Sequence, residues 1–427
     1  MTRHLRSRRI AYLAIATALT LGLAACSTTT PNTTLTPHSE FGRIIDWIWN
    51  ETLILGTIVF VGVEIGLIVT IVKWRHRAGS PPPVQSHGNT TLEITWTLIP
   101  AVVLAFIAVP TIKAIFQTQA KAAPGSLQVE VIGHQWWWEF RYPQYNIVTA
   151  NELYLPVNKT VSFALKTQDV LHSFWIPELA GKRDLISNRT NYLWFTPEST
   201  YAWNGFCAEF CGTSHANMHF RVFTVTQAEF DVWRAHQQTG PAYAPAAPPA
   251  PGAPVGGPTT PVSTAVTSTA ASTPAANAAG PVTAIPVANL QTGTYDKTKL
   301  PLHVMPATPV PDGLTFDESV IGDAARGATL YKTGACIACH MVQGISPGNI
   351  GPNLTHVGSR TTLAAGIYPN DVKHMQLWIK NAPKMKPGVT MPVFGQGQID
   401  LLTGKPLAAG YSDQQIADIV AYLQSLK

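Results

Sequence analysis

CAEFCGTSHANMH, residues 207–219, sets two cysteines, two histidines, a glutamate and a methionine in thirteen consecutive positions. Three residues separate Cys207 from Cys211, His215 follows four further on, and Met218 stands three beyond it. Two thiolates, an imidazole and a thioether form a soft donor set, which favours copper. If two metals share the two sulfurs, one ligand is missing, and His172 in the earlier stretch LHSFW can supply it. Three other readings stand beside this one. An exported chain permits a disulfide. A zinc site would use the cysteines and histidines, although methionine is a poor zinc ligand. A mononuclear blue-copper site needs only one cysteine.

The loop lies inside a region of short β-branched and aromatic runs, from about 126 to 235. LQVEVIG, YLPVNKTVSFALKT, NRTNYLWFTP and HFRVFTVT alternate with turn residues, which predicts a β-sandwich or barrel of roughly 100 residues. Upstream the character changes. Hydrophobic residues make up 46% of the 427-residue chain and charged residues only 12%, which points to membrane segments. Residues 52–74 and 94–116 are each long and apolar enough to span a bilayer. Lys73, Arg75 and Arg77 lie between them, so the positive-inside rule places that loop in the cytoplasm and the β-domain outside. Glu64 is an ionisable group inside the first span, where it is expected to face protein rather than lipid.

The chain starts with a basic segment, an apolar stretch and then Leu23-Ala24-Ala25-Cys26, the shape of an export signal. The last four residues resemble the bacterial lipoprotein cleavage box, which makes Cys26 an expected lipid anchor in a bacterial cell membrane. Arg234 and Asp296 bracket a stretch with no charged residue, rich in Pro, Ala, Gly, Ser and Thr. Such a composition cannot bury enough apolar surface to fold. As a flexible coil of about 60 residues it spans on the order of 45 Å. The net charge of +5 is spread thinly, without basic runs interleaved with aromatics, so nucleic-acid binding has no support.

The last third reads as helical. DESVIGDAARGATLYKTG precedes a second cysteine pair, and SDQQIADIVAYLQSLK closes the chain with Ser412 as N-cap and a stripe of Ile416, Ile419, Val420 and Leu423. The pair itself is CIACH, and C-x-x-C-H is a c-type haem attachment signature. Cys336 and Cys339 would form the thioethers and His340 the proximal ligand. A methionine is expected as sixth ligand. Met341 is too near His340 to reach the opposite haem face, which leaves Met375, Met385 and Met391. KPGVTMPVF resembles the distal loop of the class I cytochromes c, and the resemblance implies Met391 over Met385. Residues 396–411 are longer than that family's loop usually is.

Residues 26–235 resemble subunit II of the haem–copper cytochrome c oxidases, and CAEFCGTSHANM matches that family's binuclear copper (CuA) motif at every defining position. The resemblance implies a cupredoxin-like Greek-key sandwich in which Cys207 and Cys211 bridge two coppers. His172 and His215 would supply imidazoles, Met218 a thioether and Glu209 its backbone carbonyl. The carboxylate of Glu209, and with it Asp184 in GKRD, would reach a magnesium or manganese ion at the boundary with subunit I. GHQWWWEFRYP, residues 133–143, resembles the family's tryptophan-rich motif, and Trp136 matches the residue through which electrons reach the copper. Trp137 stands where the family usually has tyrosine. HGNTTLEITWTLIP, residues 87–100, resembles the start of the second membrane helix, with Glu93 near the mouth of a proton channel.

Residues 314–427 resemble a class I, all-α cytochrome c domain. The combined order is similar to subunit II of the caa3-type oxidases. The expected division is a signal peptide (1–25), an N-terminal segment with a transmembrane hairpin (26–120), the copper domain (121–236), the linker (237–312) and the cytochrome domain (313–427). The implied activity is passage of electrons from the covalent haem c to CuA and on to haem a of subunit I. Subunit I also holds haem a3 and CuB, where oxygen is reduced to water with proton pumping. Subunit III and a donor, either cytochrome c or an upstream respiratory complex, complete the implied partners. The copper ligands argue against a quinol oxidase, whose subunit II lacks them. A nitric oxide reductase with a similar copper subunit and a standalone electron-carrier lipoprotein are the rival readings.

Overall fold

The computed structural model describes residues 32–77, 87–241, 295–296, 300–400 and 403–427, with a few isolated positions besides. Cys26 and most of the low-complexity stretch lie outside the described residues. Two long helices come first, α1 (Glu40–Trp74) and α2 (Thr90–Gln119), and both are long and apolar enough to cross a membrane. Ser39 caps α1 by accepting from the Gly42 amide, and Glu40 complements the positive end of the helix. Asn89 caps α2 in the same way, accepting from the Thr91 and Leu92 amides. The foot of α1 is tied to the β-domain: Phe41 is buried in its core, the Ser39 hydroxyl donates to Leu179 O, and Arg43 pairs with Glu198.

Ten strands build the sandwich: β1 (Leu127–His134), β2 (Trp137–Tyr142), β3 (Ile147–Ala150), β4 (Glu152–Pro156), β5 (Val161–Thr167), β6 (His172–Trp175), β7 (Arg183–Leu185), β8 (Asn191–Phe195), β9 (Tyr201–Cys207) and β10 (His219–Val225). One sheet runs β3-β2-β1-β5-β8 and the other β4-β10-β9-β6-β7. The period of two puts Leu127, Val129 and Val131 of β1 and Val161, Phe163 and Leu165 of β5 on the buried face. They meet Phe174 and Phe220 of the opposite sheet, whose rings stack at 4.9 Å. Trp138 is fully buried among these rings. Helix α3 (Gln227–Gln237) starts on a Thr226–Glu229 capping box and lays Phe230 and Trp233 against Tyr142 and Tyr154.

Part of the stretch that composition assigns to the linker packs on this sandwich: Tyr295, Leu300 and Val304 join its core, and the carbonyls of His303 and Val304 accept from Asn204 and Arg221.

The C-terminal domain is formed by α4 (Ala324–Thr333), α5 (Cys336–Cys339), α6 (Val372–Lys380), α7 (Ala382–Met385) and α8 (Asp413–Ser425). Two short ladders, β11 (Met341–Val342) with β12 (Ser346–Pro347) and β13 (Thr362–Leu363) with β14 (Tyr368–Pro369), are added to the helices. Ser412 and Gln415 form a capping box on α8, and Ile416, Ile419, Val420 and Leu423 are buried. The α4–α8 crossing depends on glycine. A Cβ on Gly327 would stand 1.9 Å from Asp418 O, and one on Gly322 2.0 Å from Ala417 O. Gly327→Ala is therefore expected to push the helices apart at a cost of about 1–3 kcal/mol. A thermal melt of the cytochrome Soret band checks this, and an unshifted midpoint would contradict the crossing.

Candidate metal centre and haem site

The segment between β9 and β10 closes one end of the sandwich. The Cys207 amide donates to Met218 O (3.0 Å), so the loop returns to where it began. Phe174 of β6 lies opposite Cys207 of β9, which brings His172, two residues earlier, to the same end. The sulfurs of Cys207 and Cys211 stand 3.8 Å apart. His172 Nδ1 is 3.8 Å from the Cys207 sulfur, and His215 Nδ1 is 3.6 Å from the Cys211 sulfur. Met218 Sδ lies 3.9 Å from the Cys211 sulfur and Glu209 O 3.2 Å from the Cys207 sulfur. Both thiols are free, and with His172 they form a buried group able to hold a metal. A disulfide does not account for sulfurs at this distance.

The hydrogen bond between the two sulfurs holds the Cys207 thiol well below its ordinary range and, together with burial, pushes the Cys211 thiol up. Metal binding needs both sulfurs as thiolates, so it must displace the proton that Cys211 keeps. The donor set of two thiolates, two imidazoles, a thioether and a carbonyl fits copper.

Sequence reading did not single out the residues that orient these ligands. His172 Nε2 donates to Asp169 Oδ1 (2.8 Å), which turns Nδ1 toward the sulfurs. Asp169 also accepts from the Gln135 amide (2.7 Å). An acidic residue three positions before the histidine was the available signal. Gly133 lies flat under the imidazole, since a Cβ there would be 2.7 Å from His172 Cδ2. Gly133→Ala is expected to tilt His172 and weaken copper retention about 10–100-fold. Copper content after dialysis against a chelator measures this.

Trp136 Nε1 donates to Cys211 O (3.0 Å), and Gln135 Nε2 donates to the same carbonyl (2.7 Å). Trp137 instead stacks on His134 at 4.0 Å, and Trp138 belongs to the core. Glu93 is exposed in the first turn of α2, and its carboxylate lies over Gly88, where a Cβ would be 2.5 Å from Oε1. Asp184 is exposed on β7 opposite Ser173, and Glu209 is also exposed. Glu64 is half-buried within α1.

In the C-terminal domain, His340 Nδ1 donates to Pro352 O (2.8 Å), leaving Nε2 for a metal. Burial lowers the imidazole's proton affinity, which favours the neutral, ligating form. Gly351 admits the ring, since a Cβ there would be 2.6 Å from His340 Cε1. Cys336 and Cys339 are half-buried free thiols on the turn before it. Met391 packs on the apolar cluster that also contains Cys336 and Ile337. Met385 is buried in a separate cluster with Leu314 and Tyr368, and Met375 Sδ accepts from Gln424. Two thiols, a histidine with a fixed Nδ1 and an apolar wall carrying a methionine fit a covalent haem. The loop at 396–411 closes on itself through bridges Gly395–Tyr411 and Ile399–Pro406.

Two apolar helices, a cupredoxin-like sandwich with a two-thiolate centre and a haem-type helical domain define a membrane-bound electron-transfer protein. Three family profiles match in this order: cytochrome c oxidase subunit II transmembrane domain over 38–114, its periplasmic domain over 146–225, and cytochrome c over 324–427. The cytochrome c oxidase subunit 2 of Alkalihalophilus pseudofirmus is 29% identical over 96% of this chain and 95% of its own. That of Bacillus sp. strain PS3 is 28% identical, covering 81% and 77%. The "Probable cytochrome c oxidase subunit 2" of Rickettsia bellii is 30% identical over 43% of this chain and 75% of its own. The chain belongs to the cytochrome c oxidase subunit II family, in the form that carries a C-terminal cytochrome c domain. Membership implies a CuA centre in the sandwich and haem c in the helical domain.

Proposed function

We propose that this chain receives electrons for a haem–copper oxidase through the following residues. Cys336, Cys339, His340 and Met391 would hold a covalent haem c. Cys207, Cys211, His172, His215, Met218 and the Glu209 carbonyl would hold the copper pair. Bound there, haem c and the copper pair supply one-electron carriers that need no proton transfer. The protein's part is to keep the donors fixed. Asp169 and Gly133 hold His172, and the Cys207–Met218 backbone bond closes the loop. A site whose ligands do not move between redox states exchanges electrons with little reorganisation. Trp136, hydrogen-bonded to Cys211 O, is the point of electron entry to the copper centre.

Helices α1 and α2 cross the membrane with their connection in the cytoplasm, and both soluble domains stand outside, with Cys26 as a further lipid anchor. Subunit I, with haem a, haem a3 and CuB, takes the electron, and subunit III accompanies it. Glu209 and Asp184 serve a magnesium or manganese ion at the boundary with subunit I. Glu93 serves the mouth of a proton channel. A soluble cytochrome c or an upstream complex is the donor.

The observation that carries the reading is the convergence of the CuA donors on two sulfurs 3.8 Å apart. The test is purification of the intact complex through a C-terminal tag, with oxygen and nitric oxide uptake followed side by side. Oxygen uptake with haem a, haem c and copper present is expected. Nitric oxide uptake without oxygen turnover overturns the reading.

A further inference from the structure

Trp136 is 8% exposed, and its outer edge is covered by the cytochrome domain. Gly388 (φ +86°) lies against the indole, where a Cβ would be 2.8 Å from Trp136 Cη2 and 3.2 Å from Thr213 Cβ. Lys386, two residues earlier, is 1% exposed. Its Nζ donates to Trp136 O (2.6 Å) and to Ala364 O (3.0 Å). The Ser214 hydroxyl donates to Pro387 O, and Val389 packs on the sandwich core. The segment is KPGVTM, so it ends at Met391.

The rest of the contact fixes the orientation. The His219 amide donates to Ala365 O (3.1 Å) and Arg221 Nη2 to Gly366 O (2.7 Å). Glu152 Oε1 accepts from the Thr361 amide and hydroxyl, both at 2.6 Å, and from the Thr362 amide (3.2 Å). Asn353 Nδ2 donates to Val148 O (3.0 Å). A lysine amine is costly to bury, and a packing role alone would be filled at least as well by an apolar chain. Directed bonds to carbonyls of both domains specify one pose in a way that apolar packing does not.

We propose that Lys386 and Gly388 are positioning residues that seat the methionine loop of the cytochrome domain on Trp136, so that the copper centre draws on a donor built into its own chain and its surface is closed to soluble ones. This rests on the functional reading above. One electron leaves the reduced haem iron and arrives at the copper pair, with no bond made and no proton moved. Tunnelling falls exponentially with the gap, so a Cβ at Gly388 slows the step by widening it. Lys386 holds the same gap from the other side of the loop.

The test uses the whole purified complex with wild-type, Lys386→Met and Gly388→Ala chains. A ruthenium photosensitiser reduces haem c, and the transfer to copper is timed. Pulsed electron paramagnetic resonance separately reads the spin relaxation of the oxidised copper centre, which a neighbouring ferric haem speeds. Both variants are expected to keep the haem c and copper spectra. Their transfer slows about tenfold or more, their copper relaxation lengthens, and soluble ferrocytochrome c gains direct reduction of the copper. Unchanged transfer and relaxation with intact spectra overturn the proposal alone. In the wild-type complex, a copper relaxation indifferent to haem c oxidation overturns it without any variant. A wild-type complex lacking the binuclear copper signal or the covalent haem overturns the functional reading and this proposal together.

Discussion

Cys207→Ser and Cys211→Ser are each expected to remove the binuclear copper signal and lower oxygen uptake by about two orders of magnitude or more, while haem c stays fully reducible. A serine hydroxyl is a hard donor that stays protonated at neutral pH, so it cannot replace a bridging thiolate. The remaining donors lie on two sides of the missing sulfur, with His172 nearer Cys207 and with His215 and Met218 nearer Cys211. Losing one sulfur therefore separates the two halves of the set. Copper stoichiometry and low-temperature paramagnetic resonance report on the centre, and the visible spectrum reports on the haem. A variant that retains two coppers with the wild-type signal would defeat the ligand assignment.

Glu152→Ala is expected to release the cytochrome domain from the sandwich. Glu152 is buried on β4, and its carboxylate holds the Thr361 amide and hydroxyl and the Thr362 amide. Burial raises its proton affinity, while the Thr361 donors and the charge of Arg360 act the other way. Arg360 and Arg221 are buried close by. Truncation leaves two amides without an acceptor and the guanidinium groups without a counter-charge, a loss of about 3 kcal/mol or more. That corresponds to a roughly 100-fold rise in the population of the undocked state. Hydrogen exchange of the Thr361 and Thr362 amides is the readout, since both donate to the Glu152 carboxylate. Unaltered exchange in a chain with normal haem and copper spectra would show that Glu152 does not hold the contact.

The copper loop was legible because its donors are local: five of the six fall within twelve residues, Cys207 to Met218. The apolar stripe of α8 and the alternation of β1 and β5 were legible for the same reason, since period and burial are set by near neighbours. Residues that act across the chain left no such trace. Lys386 meets Trp136 from 250 positions away and Thr361 meets Glu152 from 209. Nothing local to KPGVTM marks its glycine as a seat for an indole or its lysine as a buried donor. Asp169 sits closer to its partner, but an acidic residue near a histidine is ordinary without the register that aims it. Composition also drew the linker too long, since Tyr295, Leu300 and Val304 are spaced among polar and small residues and show their role only against the sandwich.

The attachment of Tyr295, Leu300 and Val304 to the sandwich changes the arithmetic of tethering. Leu314 is already buried in the cytochrome fold, so only about ten residues bridge the last anchored point, Val304, and the domain. Fully extended, ten residues reach at most about 35 Å. A leash that short holds its passenger at an effective concentration of order millimolar. Re-docking is then governed by intramolecular odds rather than by the supply of free carrier, so the copper centre faces a nearly saturating partner however dilute the surrounding electron carriers become.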